Sequence, residues 1–159
     1  MIPALVIILL VAVNALYVAA EFAAVSVRTS RVQQAADEGS ALARRLLPVL
    51  QDGHALDRYV AACQIGITIS SLVAGAYAQA RIAPALVPHF EALGAMQTAA
   101  AQSTAALVVL VGLTGFQMVL GELVPKSLAL QRPETVSLIL ARPLIVVALV
   151  LRPLIWSLN

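Results

Sequence analysis

Apolar residues along this chain fall into three runs, at about 2–27, 59–80 and 99–124. Each is long enough to cross a hydrocarbon core, which takes about 20 helical residues. The intervals between them differ in kind. Residues 29–57 mix arginines with acids, and Leu42, Leu46, Leu47 and Leu50 recur at helical spacing, which predicts one or two amphipathic helices on the membrane surface. Gly39, Pro48 and Asp52-Gly53 predict turns there. Residues 81–97, with Arg81, His89, Glu91 and two prolines, read as a connection poor in positive charge. After the third run, Pro133-Glu134 suits a helix start, since proline fits the first turn and an acid complements the dipole. Arg142-Pro143 and Arg152-Pro153 then cut the apolar run into pieces too short to span. Residues 133–158 are therefore predicted to form a juxtamembrane helix in the inner interface, with Trp156 as an aromatic anchor. The expected fold is an all-α membrane protein, a single transmembrane domain over residues 1–159.

The second run is rich in small and polar residues: Cys63, Gln64, Gly66, Thr68, Ser70, Ser71 and Gly75. Gly66 and Ser70, like Ser71 and Gly75, are four apart, which gives small faces on two sides and places this helix in the middle of the bundle.

Composition agrees with the pattern. Of 159 residues, 61% are hydrophobic and 11% charged, against about 25% charged in soluble domains. This leaves no room for a water-soluble catalytic domain, and a net charge of +2 without a basic cluster gives no footprint for nucleic acid. A single cysteine, Cys63, excludes an intrachain disulfide and reads as a small buried hydrophobe. Met1-Ile2-Pro3 lacks a cationic leader, so the first run is expected to be a retained span. Arg28, Arg31, Arg44, Arg45 and Arg58 in the first interval, and Lys126, Arg132, Arg142 and Arg152 after the third span, predict an N-terminus outside and a C-terminus in the cytoplasm of a bacterial-type inner or plasma membrane.

Candidate chemistry gathers at Gly121-Glu122-Leu123-Val124-Pro125-Lys126-Ser127. An acid within a membrane segment costs about 2.5–3.5 kcal/mol at the bilayer centre on insertion scales, and such residues mark ion or proton pathways. Pro125 has no N–H, so the Gly121 carbonyl is predicted to be free beside Glu122, a pair of hard oxygen donors. The plainer reading of Glu122 is a protonated acid bonding between helices, and Lys126 could either pair with it or snorkel to the inner interface. Asn14 and Glu21 are the strongly polar residues of span one before Ser26; Glu21 reads either as a site residue or as an interfacial acid near Arg28. Ser26 attracts interest for its depth, toward the inner end like Glu122. Ser70 and Ser71 lie mid-span, and Gly66 could allow local unwinding that frees carbonyls, or could serve close packing alone. Carboxylate, hydroxyl and carbonyl oxygens without thiolate or embedded histidine suit Mg²⁺ or Ca²⁺ over zinc or copper.

Three segments resemble one family. Residues 14–28, Asn14 to Arg28, are similar to the first span of the CorC/CNNM magnesium transporters; residues 64–72, Gln64 to Leu72, resemble the second-span signature; Gly121 to Ser127 resembles the third. The resemblance covers essentially the whole chain, in family order. It implies a homodimeric three-span domain with a juxtamembrane helix, and Mg²⁺ export coupled to Na⁺ entry. It also implies downstream CBS modules, absent from this chain, through which ATP would act. Carried over residue by residue, it implies a metal site of Ser26, Gly66, Ser70, Ser71, Gly121 and Glu122, supported by Glu21, Pro125 and Lys126. The acid at Glu21 is not shared throughout such proteins. The alternative is a membrane anchor that senses Mg²⁺ and acts on a partner channel without transporting. No enzyme is expected, since the membrane serines lack a histidine or lysine base.

Overall fold

The computed structural model describes residues 2–94 and 97–140, and they are helical nearly throughout. Three helical stretches are long and apolar enough to cross a membrane: Ile2–Ser26, Gly53–Arg81 and Thr98–Gln131. The first is α1 (Ile2–Ser26). Its buried stripe of small residues, Ala19, Ala20, Ala23 and Ala24, packs with Tyr59, Cys63, Ala129 and Leu140. Leu5, Leu9 and Leu16 face outward, as a lipid-facing surface requires.

Two short helices follow, α2 (Thr29–Asp37) and α3 (Ala41–Gln51). The turn between them is a Schellman closure: Gly39 takes φ +99°, and the Ser40 amide reaches back 2.9 Å to the Ala35 carbonyl. Ser40 then caps α3, its Oγ accepting from the Ala43 amide at 3.3 Å. Val27, Val32, Ala36, Ala43 and Leu46 close the pair into a small core. Pro48 marks no turn, contrary to expectation. It lies inside α3, where it removes the one bond that would return to the Arg44 carbonyl, too little to break a helix fixed by Ala43 and Leu46.

The central helix α4 (Gly53–Arg81) begins well before its apolar run, because Asp52 caps it through an Oδ1 contact of 3.0 Å from the His54 amide. It passes through Gly66 without unwinding. The reason is packing: a Cβ on Gly66 would lie 2.6 Å from Cε1 and Cζ of Tyr17, so glycine is the residue that admits the α1 ring. Of the two readings of Gly66, unwinding and close packing, the continuous helix and the Tyr17 contact support close packing.

The interval read as a connection is a helix too, α5 (Ala83–Gly94). Pro84 falls in its first turn, where it is tolerated, and Pro88 removes only the bond to residue 84. Ile82, Ala83 and Leu86 settle the matter by packing with Ile7, Ala78, Val109 and Leu113. The third span is α6 (Thr98–Phe116), a π-helical stretch Gln117–Leu123, and α7 (Val124–Gln131). It continues past the expected end near residue 124. A further helix starts at residue 133 and is described as far as 140. Val136 and Leu140 pack on the α1 core, and Arg31 meets Glu134 at 3.6 Å. The remainder of the expected juxtamembrane helix, to residue 158, lies outside the described residues.

The π stretch has a local cause. Pro125 cannot donate to Gly121, so the i→i+4 ladder fails just there, and the Val124 amide bonds back five residues to Val119. Pro125→Ala is expected to restore a backbone donor for the Gly121 carbonyl and narrow this turn. Hydrogen exchange along residues 117–125 checks this: protection of the new amide at position 125 is expected, and an unprotected amide there would mean that the wide turn persists without proline.

Candidate functional site

Asn14 stands at the middle of α1 and is completely buried. A carboxamide in that position must find partners on other helices, and it finds them on both other spans. Its Nδ2 donates to the Gly121 carbonyl at 3.1 Å. Its Oδ1 accepts from Ser70 Oγ at 2.9 Å and from Ser71 Oγ at 3.2 Å. Ser71 Oγ in turn accepts from Gln117 Nε2 at 2.6 Å. A continuous polar chain, Gln117 to Ser71 to Asn14 to Gly121, thus ties the π turn to α4 and α1.

Each position is shaped for this. Gly121 is buried, and a Cβ there would stand 3.0 Å from Asn14 Nδ2, so a side chain would crowd the amide. Ser70 Oγ lies 2.8 Å from the Gly66 carbonyl and 3.0 Å from the Ile67 carbonyl as well as close to Asn14. A hydroxyl has one hydrogen, so these three contacts are alternatives for its donor. Among the described residues no buried side-chain nitrogen or oxygen lacks a partner.

The expected site residues separate into two groups. Ser70, Ser71 and Gly121 come together, with Gly66 one turn before Ser70. Glu122 is next to Gly121 and exposed on this chain. Ser26 is not part of the cluster: it ends α1, twelve residues beyond Asn14, about 18 Å along the axis. Glu21 faces α4, where its Oε1 accepts from Gln64 Nε2 at 3.3 Å. Lys126 pairs with neither acid. Its Nζ lies 4.5 Å from the centre of the Phe22 ring, a cation–π contact joining α7 to α1. Pro125 is buried behind the π turn.

Asn14 and Gln117 were the residues missed. Both are uncharged, and attention to charge and to depth drew the reading toward Glu21 and Ser26. The available signal was position, since Asn14 is an amide at the centre of a span. Chemically, the cluster supplies neutral hard oxygens, and among the described residues no three of His, Cys, Asp and Glu gather as a metal set. Such donors fit a hard cation of low required affinity better than a soft one.

Comparison with known proteins is decisive at the level of family. The family model described as the cyclin M transmembrane N-terminal domain matches residues 5–159. The chain belongs to the CNNM family. It is 39% identical over 151 residues to the UPF0053 protein YhdT of Bacillus subtilis (strain 168), covering 94% of this chain and 32% of that protein. It is 35% identical over 151 residues to the UPF0053 protein YrkA of the same organism, covering 95% of this chain and 34% of that one. This CNNM domain therefore spans about a third of the length of these curated relatives. Family membership and the three apolar helices make it an integral membrane protein.

Proposed function

We propose that this CNNM domain carries Mg²⁺ out across the membrane, coupled to Na⁺ entry, through the cluster centred on Asn14. The observation that carries the reading is convergence. Ser70 and Ser71 from α4 and the Gly121 carbonyl from the π turn place oxygens around the one buried carboxamide of Asn14 from α1, and Glu122 follows Gly121 in the chain. Mg²⁺ asks for oxygens in near-octahedral array and gives up water reluctantly, so few charges and several neutral donors suit an ion that must also leave. Glu122 supplies charge, and Ser70, Ser71 and the carbonyl replace hydration oxygens. Ser26 and Glu21, nearer the end of α1, line the inner approach rather than the point of convergence. The working unit is a homodimer in the lipid bilayer, and ATP acts through CBS modules beyond this chain.

Proteoliposomes containing a Mg²⁺-sensitive dye test this. Ser70→Ala and Glu122→Ala are each expected to lower Mg²⁺ flux by about tenfold or more, the scale of losing one charge-assisted ligand. A variant that moves Mg²⁺ as fast as the parent removes this site. Mg²⁺ binding without flux in the parent chain would instead favour the sensor reading, in which the domain acts on a partner channel.

A further inference from the structure

The polar groups of the cluster satisfy one another, and the direction of their hydrogen bonds has a consequence for a cation. Gly121 O can only accept, and the Asn14 carboxamide turns its NH₂ toward it. A cation at that carbonyl would repel the same NH₂. On the opposite side of the carboxamide, Ser70 and Ser71 present hydroxyls, which donate or accept equally well. Gln117 likewise directs an NH₂ at Ser71 Oγ, an oxygen a cation would want.

We propose that the carboxamides of Asn14 and Gln117 are built-in competitors of the cation, and that ion binding requires Asn14 to turn over about its terminal torsion. The proposal rests on the transport-site reading above. Before binding, Nδ2 faces Gly121 and Oδ1 faces the serines. After binding, Oδ1 joins the Gly121 carbonyl on the ion and Nδ2 faces the serine oxygens. Ser70 can release Asn14 without becoming unpaired, because the Gly66 carbonyl stands 2.8 Å from its Oγ and the Ile67 carbonyl 3.0 Å. Once Gln117 is displaced, Ser71 Oγ has one lone pair for the incoming amide and one for the ion. The turn leaves the helices where they are and exchanges one set of hydrogen bonds for another. Affinity is thereby held low, since the ion displaces two amides that already occupy its donors.

Titration of the chain in phospholipid nanodiscs with Mg²⁺ alone tests this, with thermal unfolding of each variant as the folding control. Gln117→Leu removes a competitor and adds no charge; it is expected to tighten Mg²⁺ binding about threefold to tenfold, as loss of one opposing hydrogen bond implies. Asn14→Asp replaces the NH₂ with oxygen and is expected to tighten binding by about tenfold or more. Side-chain ¹⁵N resonances of Asn14 are expected to shift on adding Mg²⁺ to the parent. Ser70→Ala separates the two ideas. If Ser70→Ala binds as the parent does, the site itself is wrong. If Ser70→Ala weakens binding while Gln117→Leu, folded, leaves it equal or weaker, the site stands and the competition is overturned.

Discussion

Gly66→Ala is expected to prise α1 from α4 and destabilise the domain by about 1–3 kcal/mol, the range for forcing a methyl into a filled interface. The added Cβ would meet Cε1 and Cζ of Tyr17 at 2.6 Å and Cε2 at 2.7 Å, three atoms around one end of the ring. Spinning the ring gives no relief, because Cζ lies on the axis of that rotation. Tyr17 must leave its rotamer or the helices must separate. Alanine gains about 0.5–1 kcal/mol over glycine in helix propensity, which offsets only part of this. Detergent unfolding followed by circular dichroism gives the loss. In the double variant Tyr17→Leu/Gly66→Ala, part of it is expected to return, since contacting residues do not act additively. A Gly66→Ala single variant as stable as the parent would show that the ring moves freely.

Asn14→Ala is expected to act on both stability and binding. It removes one contact to Gly121 and two to the α4 serines. Hydrogen bonds between membrane helices average about 0.6 kcal/mol, so three sum to about 2 kcal/mol. Ser70 recovers through the Gly66 carbonyl, which keeps the total from rising far above that. On the proposed site, Mg²⁺ affinity is expected to fall more than tenfold, because the side chain that bonds to both other spans is gone. Unfolding and titration on the same preparation check both effects, and a variant that loses stability while keeping full affinity would assign Asn14 to the scaffold alone.

The three spans were legible in the sequence because hydropathy accumulates over about twenty residues, and no local exception overturns it. α5 was not legible. Pro84 and Pro88 argue locally against a helix, and the packing of Ala83 and Leu86 on Ile7 and Val109 that overrides them is a tertiary fact. The site was half legible. Pro125 without an N–H and the small residues at Ser70 and Gly121 are local signs, and these three positions do meet or adjoin the cluster. Ser26 was chosen by its depth along the helix, and depth fails as a guide when helices lean against each other. Which residues of three helices stand level depends on their crossing angles, and one sequence does not carry those. Gly66 was read either as a point of unwinding or as a close-packing position, and the Tyr17 ring against it supports packing.

The third span, Thr98–Gln131, has 34 residues. At the helical rise that is about 50 Å, against about 30 Å of hydrocarbon. Leaning alone would need an inclination of more than about 50°, beyond the usual limit of about 40°. Whatever its slant, part of this helix therefore reaches into the headgroups, and Lys126, Ser127 and Gln131 are suited to that end. Its slant then answers to the thickness of the surrounding bilayer. Because the π turn is part of the same rod, acyl-chain length becomes a handle on the spacing between Gly121 and Asn14.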